Sequence, residues 1–201
     1  MSLRYALLAL LTVEPMTGYD LHKQFESSVG HVWHAPDSQI YPELKRMEAA
    51  GLVEGEEVPW GPRGKKRQYH ITDTGLADFQ AWMTAPMDYA RTRDPAHLKA
   101  AYLEWATPEA AREHFRAHIT YHETLRLQWV ATADAIRTGT STMLHRRLQN
   151  TEPEKHEATI AFKEFTYEGL IAKAETEIAW ARRGLELVDR LSASSQSTTG
   201  G

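Results

Sequence analysis

Between Leu3 and Trp82 four signals follow one another, and their order limits the folds open to this chain. A helical pair comes first, broken by a turn (LRYALLALLTVEPMTGYDLHKQF). A helix with one polar face comes next (SQIYPELKRMEAAGLV). Two short alternating stretches then flank a basic, Gly/Pro-rich tip (GPRGKKRQYHIT), and a further helix closes the set (DTGLADFQAWM). Helices closed by a β-hairpin read as a winged helix-turn-helix. Such an arrangement presents one exposed helix edge and one basic loop, the two surfaces that major-groove and backbone contact require.

Local chemistry marks the element ends. Leu3, Leu7, Leu8, Leu10 and Leu11 make a first helix apolar nearly all round, hence buried. Pro15 ends it. Thr17 is an N-cap, with Asp20 in the place of the usual capping-box acid. Leu21 and Phe25 face inward from the second helix, and Gly30 closes it. The third helix is expected from about Ser38 to Ala50, with Ile40, Leu44 and Met47 as its buried stripe. Pro42 inside it lacks a backbone donor and implies a local kink. Gly51 reads as the helix stop. Strands are expected over 53–59 and 68–71, joined through Trp60–Gly64 as the wing, and Thr72 caps the next helix.

Residues 86–95 read as a domain boundary. A helix is expected from Ala96 to Trp105, and Thr107-Pro108-Glu109 starts a longer one by the cap-then-proline rule. Residues 138–142 break that helix, and a last helix is expected from near Glu152-Pro153 to about Leu191. Tyr167, Ile171, Ala174, Ile178, Ala181, Leu185 and Val188 alternate steps of four and three, a coiled-coil-like seam. Phe162, Phe165 and Leu170 add a second apolar stripe. So much apolar surface on one helix points to dimerisation through this half, with the seam as the interface. The expected fold is mainly α: a winged helix-turn-helix with a two-stranded β wing over residues 1–88, then an α-helical dimerisation domain with a long C-terminal helix over 89–191. Residues 192–201, polar and of low complexity, are expected to form a disordered tail.

Composition narrows the function classes. The chain of 201 residues has no cysteine, which excludes disulfides, thiolate metal sites and thiol catalysis. No stretch reaches the roughly 18 apolar residues of a membrane span. Neither a signal peptide nor a membrane partner is expected, and a cytoplasmic location, nucleoid-associated on DNA, follows as an expectation. GxSxG, HExxH, P-loop and GxGxxG patterns are missing, so no enzyme is expected. Net charge is −4, and residues 1–88 carry all of it, with 8 Lys+Arg against 12 Asp+Glu. Binding to a polyanion must then depend on local placement. Residues 61–70 supply it, with Arg63, Lys65, Lys66 and Arg67 and no acid.

The candidate groove-facing residues are Ser38, Gln39, Tyr41, Lys45 and Arg46, since Gln pairs with adenine and Ser, Tyr and Lys reach phosphates or base edges. A solvated helix face is the alternative. Lys65, Lys66 and Arg67, joined by Arg63, are placed at the wing tip over the DNA backbone, with a soluble turn as the alternative. His114, His118 and His122 recur every four residues on one helix face. Such a stripe packs, titrates at an interface or chelates a metal. No cofactor and no metal is expected.

These motifs in this order, GYDL, IYPEL, AAGLV and YHITDTG, resemble the PadR family of transcriptional regulators. The segment RDPAHLKAAYLEWATPEAAREH and the long last helix are similar to the subfamily with the larger helical, AphA-like C-terminal domain. The resemblance implies a homodimer on an inverted repeat of double-stranded DNA, most often a repressor, with release by a small aromatic effector in some members. It also places Tyr19 near the DNA backbone, where a packing role is the alternative. Trp33, Trp82, Trp105, Trp129 and Trp180 are candidates for an effector pocket, or core aromatics. The competing reading is a winged-helix, helical protein-interaction module or co-regulator without autonomous DNA binding.

Overall fold

The computed structural model describes residues 3–27, 37–61, 64–87, 89 and 93–198. The expectations at Gly30, Trp33 and Arg63 fall outside the described residues. The chain divides into two compact units, Met1–Asp88 with Arg146–Pro153, and Tyr89–His145 with Glu154–Gly201.

In the first unit α1 (Leu3–Leu11), α2 (Gly18–Ser27) and α3 (Asp37–Ala49) surround one core. The side chains of Leu7, Leu8, Leu21, Ile40, Leu44 and Met47 are withdrawn from solvent, as the helical spacing predicts. The start of α2 is a reciprocal cap: Asp20 N donates to Thr17 Oγ1 at 3.2 Å, and Thr17 Oγ1 donates to Asp20 Oδ2 at 2.6 Å. At the end of α3, Gly51 takes φ +69°, Leu52 N donates to Met47 O and Gly51 N to Glu48 O, each at 2.9 Å. That is a Schellman stop, and the left-handed residue in it favours glycine.

The sheet has three strands, one more than expected. β1 (Met16–Thr17) and β2 (Val53–Trp60) both pair antiparallel with β3 (Gly64–Ile71), which lies between them. Gln68 Nε2 holds β1 from the side, donating to Pro15 O at 3.2 Å. The hairpin ladder runs from Val53 opposite Ile71 to Trp60 opposite Gly64. Lys65, Lys66 and Arg67 are therefore strand residues, not members of a tip loop. Their pairing with Pro59, Val58 and Glu57 outweighs the weak strand preference of lysine.

Helix α4 (Asp73–Thr84) is capped by Thr72, whose Oγ1 accepts from Gly75 N at 3.0 Å and donates to Gly51 O at 2.7 Å. This joint ties α4 to the end of α3. A methyl group on Gly75 would stand 2.0 Å from the Leu52 carbonyl oxygen, which is backbone and cannot rotate away. Gly75→Ala is expected to destabilise the protein by about 3 kcal/mol, because backbone must move to admit it. A urea titration checks this; an unchanged midpoint would show that the joint is loose. From residues 146–153, Arg147 reaches α1, donating to Ala9 O at 2.7 Å and Thr12 Oγ1 at 3.2 Å, a cation on the negative end of a helix.

The second unit is built on α6 (Pro108–Arg137) and α8 (His156–Thr198). Thr107 caps α6, accepting from Ala110 N at 3.2 Å as the cap-then-proline rule predicts. Arg112 pairs with Asp189, Arg126 with Glu175 and Arg182 with Glu123, at 2.9, 3.0 and 3.0 Å. Partner numbers fall on α8 as they rise on α6, so the two helices run antiparallel. The expected single helix after the boundary divides into α5 (Pro95–Ala100) and a 3-10 turn at Leu103–Trp105. Helix α7 (Thr142–Gln149) was not expected. Helix α8 continues beyond Leu191 to Thr198, through residues expected to lack structure.

The seam on α8 has a cover within the chain. Tyr167, Ala174, Ile178, Ala181 and Val188 are buried within the single chain, and Ile171 and Leu185 are half-buried. Their cover is α6, the helix packed along α8. Phe115 and Ala111 of α6 form one cluster with Ala181 and Val188. Most of the seam is therefore packed within the single chain, with Ile171 and Leu185 left partly open. Of the second stripe, Phe162 and Phe165 are open, at 73% and 71% exposed, and Leu170 is half-buried.

Candidate nucleic-acid interface

The exposed edge of α3 carries the sequence candidates together. Ser38, Gln39, Tyr41, Lys45 and Arg46 are all exposed, while Ile40, Leu44 and Met47 anchor the opposite edge. Tyr41 lies against the start of α2, where a methyl group on Gly18 would be 2.5 Å from its Cε1. The glycine leaves room for that ring. Arg46 is held by its own helix: its guanidinium is 2.9 Å from Glu43 Oε2. Glu43 is buried and also lies 3.9 Å from Arg4. Lys45 has no ion-pair partner among the described residues.

Strand β3 meets this edge through Glu48. Its carboxylate accepts from Gly55 N at 3.1 Å and pairs with Arg67, joining α3 to both hairpin strands. That contact raises the Arg67 pKa further above its usual value, through the hydrogen bond to Glu48 first. Lys65 is also paired, 2.6 Å from Glu57 Oε2. Lys66 points to the other face of the strand, as period-two alternation requires. Its Nζ lies 2.9 Å from the centroid of the Trp60 ring and 5.3 Å from that of Tyr19. Tyr19 and Trp60 are both 59% exposed, so the cation rests on an open aromatic shelf.

The structure thus places Tyr19, the α3 edge and the β3 cations on linked elements of one unit. Sequence reasoning puts Trp60 in the wing and Glu48 on the exposed side of α3, but misses their contacts with Lys66 and Arg67. Nothing local signals the Glu48–Arg67 pair, which joins residues 19 apart. The four described candidate tryptophans have different surroundings. Trp82 stacks on Tyr5 in the first unit at 4.7 Å. Trp105 is 87% exposed and Trp129 is buried. Trp180 stacks on His97 at 4.0 Å. Aromatic content alone does not say which rings converge, and these serve separate local packings. Among described residues no helix is long and apolar enough to cross a membrane.

A helix-turn-helix with a basic, aromatic-backed hairpin defines a winged-helix protein of the nucleic-acid-binding type. Residues 7–81 match the Transcriptional regulator PadR-like family. That match runs from within α1 through α2, α3 and the hairpin into α4, and is to a family of transcriptional regulators. It is 31% identical over 115 residues to the negative transcriptional regulator PadR of Bacillus subtilis, across 57% of this chain and 63% of that one. It is 34% identical over 91 residues to a probable transcriptional regulator of Mycobacterium tuberculosis, across 45% and 48%. The alignments thus span less than two thirds of either relative. In fold the likeness extends further. The crystal structure of Bacillus subtilis PadR with operator DNA superposes at TM-score 0.71 and 20% identity, covering 92% of this chain and 96% of that one. The Vibrio cholerae virulence activator AphA superposes at TM-score 0.67 and 21% identity, covering 94% and 99%.

Proposed function

We propose that this chain is a sequence-specific DNA-binding transcriptional regulator that represses from an inverted repeat as a homodimer. The observation that carries the reading is the continuity of the exposed α3 edge with the cations of β3. The helix is sized for a major groove, and the strand cations suit the flanking phosphates. Ser38, Gln39, Tyr41, Lys45 and Arg46 read the groove, and Tyr19, Lys65, Lys66 and Arg67 hold the backbone. Arg63 belongs to the same proposal on sequence alone. The relatives support it: Bacillus subtilis PadR is a negative regulator solved with operator DNA.

Dimerisation belongs to the second unit, through Phe162 and Phe165 and not through the buried seam. Release by a small aromatic effector is the finer part of the reading. Bacillus subtilis PadR has also been solved with p-coumaric acid. Within the second unit Trp105 is exposed, Trp129 is buried and Trp180 stacks on His97. A groove of about 450 Å³ in the second unit, lined by Leu103, Ala111, Phe115, Leu187, Val188 and Leu191, is the apolar space that suits a flat ligand.

Selection of the purified chain against random duplex DNA at about 150 mM salt tests the proposal. Enrichment of one inverted repeat is the expected result. A folded dimer that enriches nothing would overturn it in favour of a protein-docking module.

A further inference from the structure

The histidine stripe on α6 does not end as packing. His118 and His122 stand one turn apart and face Glu177 of α8, and a ligand atom from each of the three lies within 4.8 Å of the others. His118 Nε2 is 3.1 Å from Glu177 Oε2. Two ligands on one tetrahedral zinc, with bonds near 2.0–2.1 Å, are separated by about 3.3 Å. That pair is therefore already spaced for a shared ion, and rotation of His122 closes the remainder. His122 Nδ1 is buried with no hydrogen-bond partner, which a purely packed imidazole does not require.

A fourth donor approaches from α5. His97 Nε2 is 3.8 Å from Glu177 Oε2. Its Nδ1 is 2.8 Å from Asp94 Oδ2, an ion-pair distance off the line of a hydrogen bond. Its ring is clamped on Trp180 at 4.0 Å. A carboxylate behind the far nitrogen of an imidazole is the usual outer support of a histidine ligand, fixing tautomer and ring direction. His114 does not join this cluster: it stacks edge-on with Phe115, the centroids 5.3 Å apart.

We propose that His118, His122 and Glu177, with His97 as fourth donor and Asp94 behind it, bind a divalent late first-row transition metal ion, zinc in the first instance. The donor set decides the class. Imidazoles with one carboxylate suit zinc, nickel, cobalt or copper, whereas calcium and magnesium require oxygen ligands. The ion would join α5, α6 and α8 by bonds where the apo chain has the contacts of His118 and His97 with Glu177 and an unpartnered His122 nitrogen. The site's residues all belong to the second unit and the proposed DNA contacts to the first, so it holds or fails independently of the reading above.

The test uses the tag-free full-length chain, stripped with a chelator and titrated with Zn²⁺ and Co²⁺. One Zn²⁺ per chain, a rise in the unfolding temperature, and a four-coordinate Co²⁺ absorption spectrum are expected. His122→Gln and Glu177→Gln are each expected to weaken Zn²⁺ binding at least about hundredfold, and Asp94→Asn about tenfold. His70→Gln, in the other unit, leaves it unchanged. Circular dichroism identifies the variants that fold, and the near-isosteric Glu177→Gln decides if a histidine variant does not. Stoichiometric uptake missing from the wild-type chain, or equal affinity in folded Glu177→Gln, overturns the site.

Discussion

Replacing Lys45 and Lys66 together by alanine is expected to weaken binding to the selected operator about thirtyfold at 150 mM salt. Each phosphate neutralised by a cation contributes about 0.9 to the slope of log affinity against log salt, which near 0.15 M amounts to roughly fivefold per contact. The slope should therefore fall by about two. These two lysines are singled out because of what surrounds them. Lys65 and Arg67 are engaged by Glu57 and Glu48, so a phosphate must compete with a carboxylate already in place. Lys45 has no such competitor among the described residues. Lys66 is held over Trp60 by a ring face, which orients the ammonium without neutralising it. The converse follows. Glu57→Gln releases Lys65 and should raise affinity at low salt. Titrations of wild type, the double variant and Glu57→Gln over a range of salt check both statements. Equal affinity and equal slope would remove Lys45 and Lys66 from the interface.

The sequence shows this interface only in part, and the division is physical. Signals confined to a turn or a cap were legible. Thr17 with Asp20, Gly51, Thr72 and Thr107-Pro108 each satisfy or end a helix within a few residues, and each stands where the pattern puts it. The buried stripe of α3 was legible too, because one face of a helix repeats at a fixed spacing. What depends on partners distant in the chain was not. β1 is two residues long and exists only because Tyr69 and Gln68 lie beside it. A run of Lys-Lys-Arg next to glycines reads as a loop until a complete ladder with β2 extends it. The carboxylates that temper those cations lie 8 and 19 residues away. The α8 seam shows the same limit: spacing reveals that a face is apolar, and nothing in it says whether the covering helix belongs to the same chain.

That question has a measurable answer in the last helix. Phe162→Ser with Phe165→Ser is expected to turn a dimer into a folded monomer. Both rings are open to solvent in the single chain, at 73% and 71% exposure. Changing them leaves the protomer core untouched, so helicity and cooperative unfolding should persist. A dimer that buries them loses two large aromatic anchors, each a contact of the kind that costs about 2 kcal/mol or more to truncate. At micromolar concentration that should shift light scattering or sedimentation to the monomer mass. Operator affinity should fall with it, because one winged helix would then reach one half-site alone. Ile178→Asp gives the opposite pattern. Ile178 is buried on α8, which packs along α6, and a carboxylate withdrawn from water there is costly. The second unit should unfold and not merely separate. If the phenylalanine variant stays dimeric while Ile178→Asp yields a folded monomer, the seam is the interface after all. The burial of Ala174 and Ala181, each 0% exposed in one chain, argues for the first outcome, since the deepest positions of that face are already filled from within.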